Sequence, residues 1–522
     1  MKRSIHVRLG LVVLSCLLAT APSVLAENTS WSESITTERG TKIIDHFPPR
    51  AEPVPGREAR GSEEALFPLS ETFLLHSRPG ASKVVYIDFD GHGGFEGPYP
   101  PYNFEGAPET FSDAELTRIQ LIWKVVAEDF LPFEVDITTE DPGIEALRNT
   151  GGGDTHWGIR CVVAPGPWDY GWAYVGSFTW DTDYECQAYT GDNSIHWVAD
   201  TVNHEVGHSL GLSHDGGGGD GEYYQGHGSG HTHWSPIMGW AGYGISQWSL
   251  GEYSGANNQE DDLAIITTQN GFGYRPDDHG STTGGATPIS LGSGSLELAA
   301  EGIIERNDDV DFFSFTMTAA GDVQLLVEPD GLEVPVDGVG IVNAAANLDI
   351  LAELHDSQGA VLQSSNPVDF LHADLQANLA PGDYYVSVTG VGKGNPLGDG
   401  YTDYGCLGYF SVSTSTSVPT GVGDLASLRP ETVRLAQNVP NPFDLQTAIR
   451  FDLHETSDVA LRILDVNGAV VRTLVQGARS AGAYTERWDG RDVAGSPVAS
   501  GIYFYELRAG GDREVKKLIL MR

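Results

Sequence analysis

The chain has 522 residues, 72 of them Asp or Glu against 30 Lys or Arg, giving a formal charge of −42 at neutral pH. So acidic a surface repels phosphates and anionic lipids, which argues against nucleic acid as a partner and favours solubility, bound divalent cations or a saline environment. The length exceeds what one hydrophobic core supports and predicts two or three folded units.

Residues Met1-Lys2-Arg3 to Arg8 are basic, Leu9 to Ala21 are apolar, and Ser23-Val24-Leu25-Ala26 offers a small-residue cleavage site before Glu27. Residues 1–26 therefore read as a signal peptide. The apolar run is short of the ~20 residues of a spanning helix, and Val13-Leu14-Ser15 ahead of Cys16 makes a poor lipobox. No later stretch is long and apolar enough to span a bilayer, so the mature chain is expected to be secreted, outside the cell or at its surface. Loss of Lys2, Arg3 and Arg8 leaves 27 basic against 72 acidic residues, a charge of −45. Cys161, Cys186 and Cys406 remain. In an oxidising compartment Cys161 and Cys186 lie close enough in sequence for a disulfide worth about 3 kcal/mol, with two buried thiols as the alternative. Cys406 has no evident partner.

Residues 27–70 are polar and rich in Pro and Glu, without helical or strand periodicity, and read as a disordered leader or short propeptide. The leader holds no cysteine, so a thiolate is not what would blank a metal there. Order is expected from Lys83 to Asp90, where Val85, Ile87 and Phe89 alternate as in a half-buried strand. Ser112-Asp113-Ala114-Glu115 is a capping box, and Leu116, Ile119, Trp123, Val126 and Phe130 then mark one helix face up to Pro132. Val135 and Ile137, Ile159 to Val163 and Trp172 to Phe178 read as strands, and Ile195 to Leu210 as a second helix. This order predicts an α/β (α+β) domain with a mixed twisted sheet over residues 71–275. From residue 286 to 415 short alternating runs such as Phe312 to Phe315 and Tyr384 to Val388 sit between Gly, Asp and Pro turns, the pattern of an all-β sandwich. A linker at 416–431 and a second small sandwich at 432–522 follow.

The segment His204-Glu205-Val206-Gly207-His208-Ser209-Leu210-Gly211-Leu212-Ser213-His214-Asp215 carries the chemistry. Two histidines four apart on a helix stand one above the other, so both rings can reach one ion. Val198, Ala199, Val202, Val206 and Leu210 fall on the opposite face and give the helix a core to pack on. Glu205 projects beside the metal, placed to take a proton from a zinc-activated water. Gly211 can adopt positive φ and turn the chain so that His214 returns as a third ligand. Three protein ligands leave a position open for water or substrate.

The segment resembles the metzincin metallopeptidases, and Asp215 after the third histidine makes it most similar to their reprolysin (adamalysin) branch. That resemblance implies zinc held by His204, His208 and His214, Glu205 as the general base, and a supporting methionine beneath the metal, for which Ser235-Pro236-Ile237-Met238-Gly239 supplies Met238. Gly211, Asp215 and Met238 are expected as structural supports. Astacin- and serralysin-like members carry a tyrosine two residues after that methionine, where this chain has Trp240, with Tyr243 nearby. The resemblance further implies a sheet whose edge strand binds extended peptide, with Trp172 to Phe178 as the candidate edge. His227, His231 and His233 read as a rim of the cleft rather than a second metal site. Asn257, Asn258, Glu260, Asp261 and Asp262 offer oxygen ligands for Ca2+ or a solvated helix start.

Asp309-Val310-Asp311-Phe312-Phe313, Asn347-Leu348-Asp349 and Pro381-Gly382-Asp383-Tyr384-Tyr385 resemble the bacterial pre-peptidase C-terminal domain. Asn438 to Phe443, Trp488-Asp489-Gly490-Arg491 and Ser500 to Tyr505 are similar to flagellar-hook-capping Ig-like domains and type IX secretion sorting domains, and Lys516 to Leu520 fits a sorting tail. Secretion machinery is then an expected partner beside protein or peptide substrates. The whole reads as a secreted zinc metalloendopeptidase. The competing reading is a surface adhesion or binding protein with a degenerate peptidase domain, against which the intact Glu205 argues.

Overall fold

The computed structural model describes residues 31–46 and, with short gaps, 65–417 and 433–520. The predicted signal peptide, Cys16 included, lies outside these. Among the described residues no helix is long and apolar enough to cross a membrane.

The first unit is a seven-stranded mixed sheet built from β1 (Trp31–Thr36), β2 (Thr41–His46), β3 (Lys83–Asp88), β4 (Asp136–Thr138), β5 (Trp157–Pro165), β6 (Tyr170–Tyr174) and β7 (Cys186–Thr190) in the order β1-β2-β6-β7-β5-β3-β4. Strands β7, β5, β3 and β4 run parallel, whereas β6 runs antiparallel to both β7 and β2. Helices α1 (Asp113–Asp129) and α2 (Ile195–Leu210) pack together against this sheet. The capping box of α1 forms in full: Glu115 N–H donates to Ser112 Oγ, and Ser112 N–H to Glu115 Oε2. The helix ends at Asp129, three residues before Pro132. A short strand β8 (Trp234–Pro236) pairs with β9 (Ile245–Gln247), and α3 (Asp262–Gln269) closes the unit.

The expectation of a disordered leader is corrected over residues 31–46. Strands β1 and β2 form a hairpin, and β2 adds to β6 with Lys42 opposite Tyr174 and Asp45 opposite Gly171. The pattern is too short to register as strand periodicity on its own, and the ladder on β6 satisfies its backbone instead. The predicted Trp172 to Phe178 strand is shorter at its end: β6 stops at Tyr174, and Ser177–Thr179 is a 3-10 turn. Cys161 and Cys186 lie opposite each other on β5 and β7 as free, buried thiols, so the disulfide alternative is not the one adopted.

The second unit stacks a five-stranded sheet, which includes Asp311–Met317 and Gly382–Gly390, on a four-stranded sheet that includes Gly321–Pro329 and Gly408–Ser417. Alternate residues of Asp311–Met317 and Gly321–Pro329 are buried, as two facing sheets require. The last strand runs to Ser417, two residues into the expected linker. The first and second units share one continuous core. Their seam is polar: Tyr409 N–H donates to Glu128 Oε1 at 2.9 Å, Gln247 Nε2 to the Asn347 carbonyl at 2.6 Å, and Leu263 N–H to Tyr404 Oη at 2.8 Å. Cys406 is buried in the same seam, where Gln247 Nε2 reaches its sulfur at 3.3 Å. The third unit has a three-stranded and a four-stranded sheet around Trp488, Tyr505, Phe451 and Leu461.

Candidate metal centre

Helix α2 holds His204 and His208 with ring centroids 4.8 Å apart, while Val198, Ala199, Val202, Val206 and Leu210 are buried behind them. Gly211 ends the helix at φ 106°, in the left-handed region. Its N–H donates to the His208 carbonyl at 2.9 Å and that of Leu212 to Gly207 at 3.1 Å, which caps the last turn. The reversal returns His214, whose ring centroid is 5.2 Å from that of His204 and 4.7 Å from that of His208.

Outer contacts orient these rings. His204 Nδ1 lies 2.8 Å from the Ile237 carbonyl and His208 Nδ1 2.8 Å from that of Leu212. A carbonyl can only accept, so both Nδ1 atoms carry hydrogen and both Nε2 atoms present lone pairs to a common point. His214 Nε2 joins them at 2.9 Å from His208 Nε2. Burial lowers the His208 pKa to about 4, which keeps it the neutral ring that metal ligation needs.

The fourth group is Asp45 of the leader, which the sequence reading missed. Its Oδ2 is 3.5 Å from His204 Nε2 and 3.3 Å from His208 Nε2, and its Oδ1 is 3.1 Å from His214 Nε2. One donor atom from each of the four residues lies within 4.8 Å of the others. Asp45 is fully buried, and its Oδ2 accepts no hydrogen bond. Three imidazole nitrogens and one carboxylate, buried and convergent, are a donor set that fits zinc.

Glu205 is fully buried and neither of its oxygens is hydrogen-bonded. Burial first, and the neighbouring Asp45 charge second, push its pKa well above the carboxylate range. Room for it comes from Gly171 on β6, where a Cβ would stand 2.0 Å from Glu205 Oε1. Beneath the helix, a Cβ on Gly207 would stand 2.4 Å from Met238 Sδ, so Met238 packs directly under the histidines. Asp215 N–H donates to the Met238 carbonyl at 2.8 Å and fastens this turn beside His214. The buried Asp215 carboxyl is raised to about 7 by burial and by Glu260.

Two further residues emerge only in three dimensions. The Tyr223 ring packs at a tilt with its centroid 4.6 Å from that of His214, and its hydroxyl donates to Asp45 Oδ1. Glu222 Oε1 is 3.3 Å from His214 Nδ1, and its Oε2 accepts from Ser32 N–H at 3.0 Å, so one carboxylate clasps both ligand and leader. Tyr243 lies outside the described residues, and Trp240 meets Trp197 edge to face.

The other candidates separate. His227 bonds Tyr224 Oη at 2.8 Å and packs on Trp234, whereas His231 lies outside the described residues. The proposed calcium ligands are spent on protein partners: Asn257 Oδ1 accepts from Gly216 N–H, Glu260 from Ser213, Asp261 from Ala264 N–H and Asp262 from Ser249 N–H. Asn258 likewise accepts from Glu260 N–H. These oxygens cap turns and the start of α3, the second of the two readings of this run. Acidic oxygens instead converge where the second unit begins, in the groups Asp277, Glu305, Asp309 and Asp277, Asp278, Asp311. Glu305 and Asp311 are buried there, with no hydrogen bond to any of their carboxylate oxygens.

No curated protein matches the chain. Among solved structures, dimeric latent PorU from Porphyromonas gingivalis is similar at 15% identity, covering 41% of this chain and 20% of that one, with a TM-score of 0.23. PorZ, an essential bacterial surface component of the type-IX secretion system of the same organism, is similar at 19% identity over 21% of this chain and 14% of that one, TM-score 0.14. This chain thus spans well under a third of either protein. The pre-peptidase C-terminal domain of collagenase from Bacillus anthracis is similar at 17% identity over 27% of this chain and 98% of that domain, TM-score 0.17. By family match, residues 438–512 are an FlgD Ig-like domain.

Proposed function

We propose that the protein is a secreted, zinc-dependent endopeptidase of the metzincin type, made in a latent form that its own leader closes. The observation that supports this most is the convergence of His204, His208 and His214 beside a buried, unbonded Glu205, under a sheet strand that already binds an extended segment. Bound zinc supplies Lewis acidity, polarising a peptide carbonyl and lowering the pKa of water toward neutrality. Glu205, its basicity raised by burial, takes a proton from the attacking water and returns it to the leaving amine. The free edge of β6 holds the substrate backbone by strand addition, and Gly171 lets that backbone pass close to Glu205. Tyr223, once Asp45 has left, keeps its hydroxyl aimed at the place where Asp45 Oδ1 stood and donates to the oxygen on which charge develops.

Latency rests on two contacts. Asp45 fills the position a substrate oxygen would take, and β2 fills the strand slot. An oxygen ligand thus takes the part that no thiolate in this leader could. The C-terminal unit serves export or surface attachment, and the acidic groups around Asp311 take a hard cation such as Ca2+.

The test is hydrolysis of casein or gelatin by the purified chain after leader cleavage. Activity abolished by a chelator and restored by zinc is expected. Cleavage that is indifferent to chelation, or full activity in Glu205→Gln, overturns the assignment.

A further inference from the structure

The leader lies in the strand slot proposed for substrate, so its side chains mark what the walls of that slot accept. Lys42 stands three residues before Asp45 on β2, and its ammonium lies 3.6 Å from the centroid of the Trp172 ring and 5.7 Å from that of Tyr174. Glu96 Oε1 is 3.3 Å from Lys42 Nζ. Glu185, fully buried, accepts the Glu96 N–H at 3.0 Å and so fixes the loop that carries Glu96. Gly94 of the same loop has no room for a Cβ, which would stand 2.2 Å from Glu185 Oε1. The lysine is only 8% exposed. A buried ammonium over an indole face, with a carboxylate at its end, is a built cation site.

The walls of this site belong to β6 and to the loop that follows β3, not to the leader. They remain when the leader is removed. We infer that they form a specificity subsite for a basic side chain, Lys or Arg, in a substrate strand that pairs with β6 antiparallel, as β2 does, three residues before the residue facing the metal. This inference rests on the peptidase reading above and names the substrate class of the same site. Trp172 and Glu96 are its selecting groups. Trp172 is itself held by a bond from its Nε1 to Gln187 Oε1 at 2.9 Å, which keeps the ring face toward the cation.

The experiment uses the full chain with its leader cleaved, and a series of extended peptides that differ at one position by Lys, Arg, Leu or Glu, with cleavage sites mapped by mass spectrometry. Lys and Arg peptides should be cut with kcat/KM about tenfold above the Glu peptide at one fixed distance before the scissile bond. Glu96→Lys, a change at a residue 42% exposed by its side chain, should reverse that preference toward Glu. In the uncleaved chain, Lys42→Leu should speed amide exchange of Ile43 to Asp45, a readout that needs no catalysis. Cleavage without a basic preference, or a preference that Glu96→Lys leaves unmoved, overturns the inference and leaves the peptidase reading standing. Cleavage of no peptide at all, with exchange still responding to Lys42→Leu, overturns the peptidase reading and the substrate subsite together.

Discussion

Among the described residues, two regions gather candidate ligand atoms, and they do it with opposite chemistry. Around α2 the donors are three imidazole nitrogens with one carboxylate, each ring oriented by an outer contact such as Ile237 or Leu212. Where the second unit begins, Asp277, Asp278, Glu305, Asp309 and Asp311 bring oxygen alone. Nitrogen-rich, closely oriented sets suit zinc, whereas oxygen-only sets suit hard cations such as calcium. Orientation differs as well. The histidine site has its tautomers decided by backbone carbonyls, while Glu305 and Asp311 have buried oxygens that no donor meets. On the reading proposed above, the first arrangement would do chemistry and the second would be stabilised by what it binds.

This contrast can be broken at its catalytic end first. Glu205→Gln removes the proton carrier and keeps the three imidazoles, so kcat on casein should fall by about 10³-fold or more while zinc content by metal analysis stays at that of the parent. Retained turnover would show that the nitrogen site is no more catalytic than the oxygen one. Asp45→Ala removes a buried charge partner of three histidines, a loss of roughly 3 kcal/mol, and should raise the peptidase activity of the uncleaved chain about a hundredfold. Tyr223→Phe in the leader-cleaved enzyme should lower kcat by about tenfold to a hundredfold with KM little changed, because only the charged oxygen requires the hydroxyl.

The oxygen site is tested by stability. Burial, then the neighbouring carboxylates Asp309, Asp278 and Asp277, push Asp311 up to about 9, and burial and its acidic neighbours push Glu305 to about 9. Both folded values lie above unfolded values of about 4. Their contribution is therefore complete below about pH 4 and is lost as pH rises toward about 9. In the presence of a calcium-selective chelator Tm should fall as pH rises from about 5 to 9. Calcium in hundredfold excess over its Kd should recover about 5 °C at pH 8 and little at pH 4, by differential scanning calorimetry. Asp311→Asn should abolish that calcium response and leave casein hydrolysis within about twofold. A calcium response that is equal at both pH values would place the cation elsewhere.

Local patterns made α1, α2 and the three histidines legible, because helix periodicity, a capping box and a glycine at the helix end are all read within a few turns of chain. Gly211 takes the positive φ that its place after Leu210 predicts. Tyr223, Glu222 and Asp45 were not legible for the opposite reason. Asp45 meets His204 across some 160 residues, and nothing in Ile43-Ile44-Asp45 distinguishes it from the leader's other acids. The signal was faint but present in Gly171: a glycine inside a strand marks a close approach, which here is that of Glu205. Asn257 to Asp262 read as calcium ligands or a helix start because acidic residues beside a helix start serve as caps as readily as ligands, while the acidic groups Asp277, Glu305, Asp309 and Asp277, Asp278, Asp311 come together from separate turns and strands.

The hairpin of residues 31–46 has a second consequence. Without it, β6 is the outer strand of the sheet, with a row of unpaired N–H and C=O groups that any extended chain can extend. A strand edge open to substrates is equally open to other copies of the chain. On the proposed peptidase reading, β2 covers β6 until the leader is cut, so the same sixteen residues would act as an inhibitor of catalysis and as a guard against self-association.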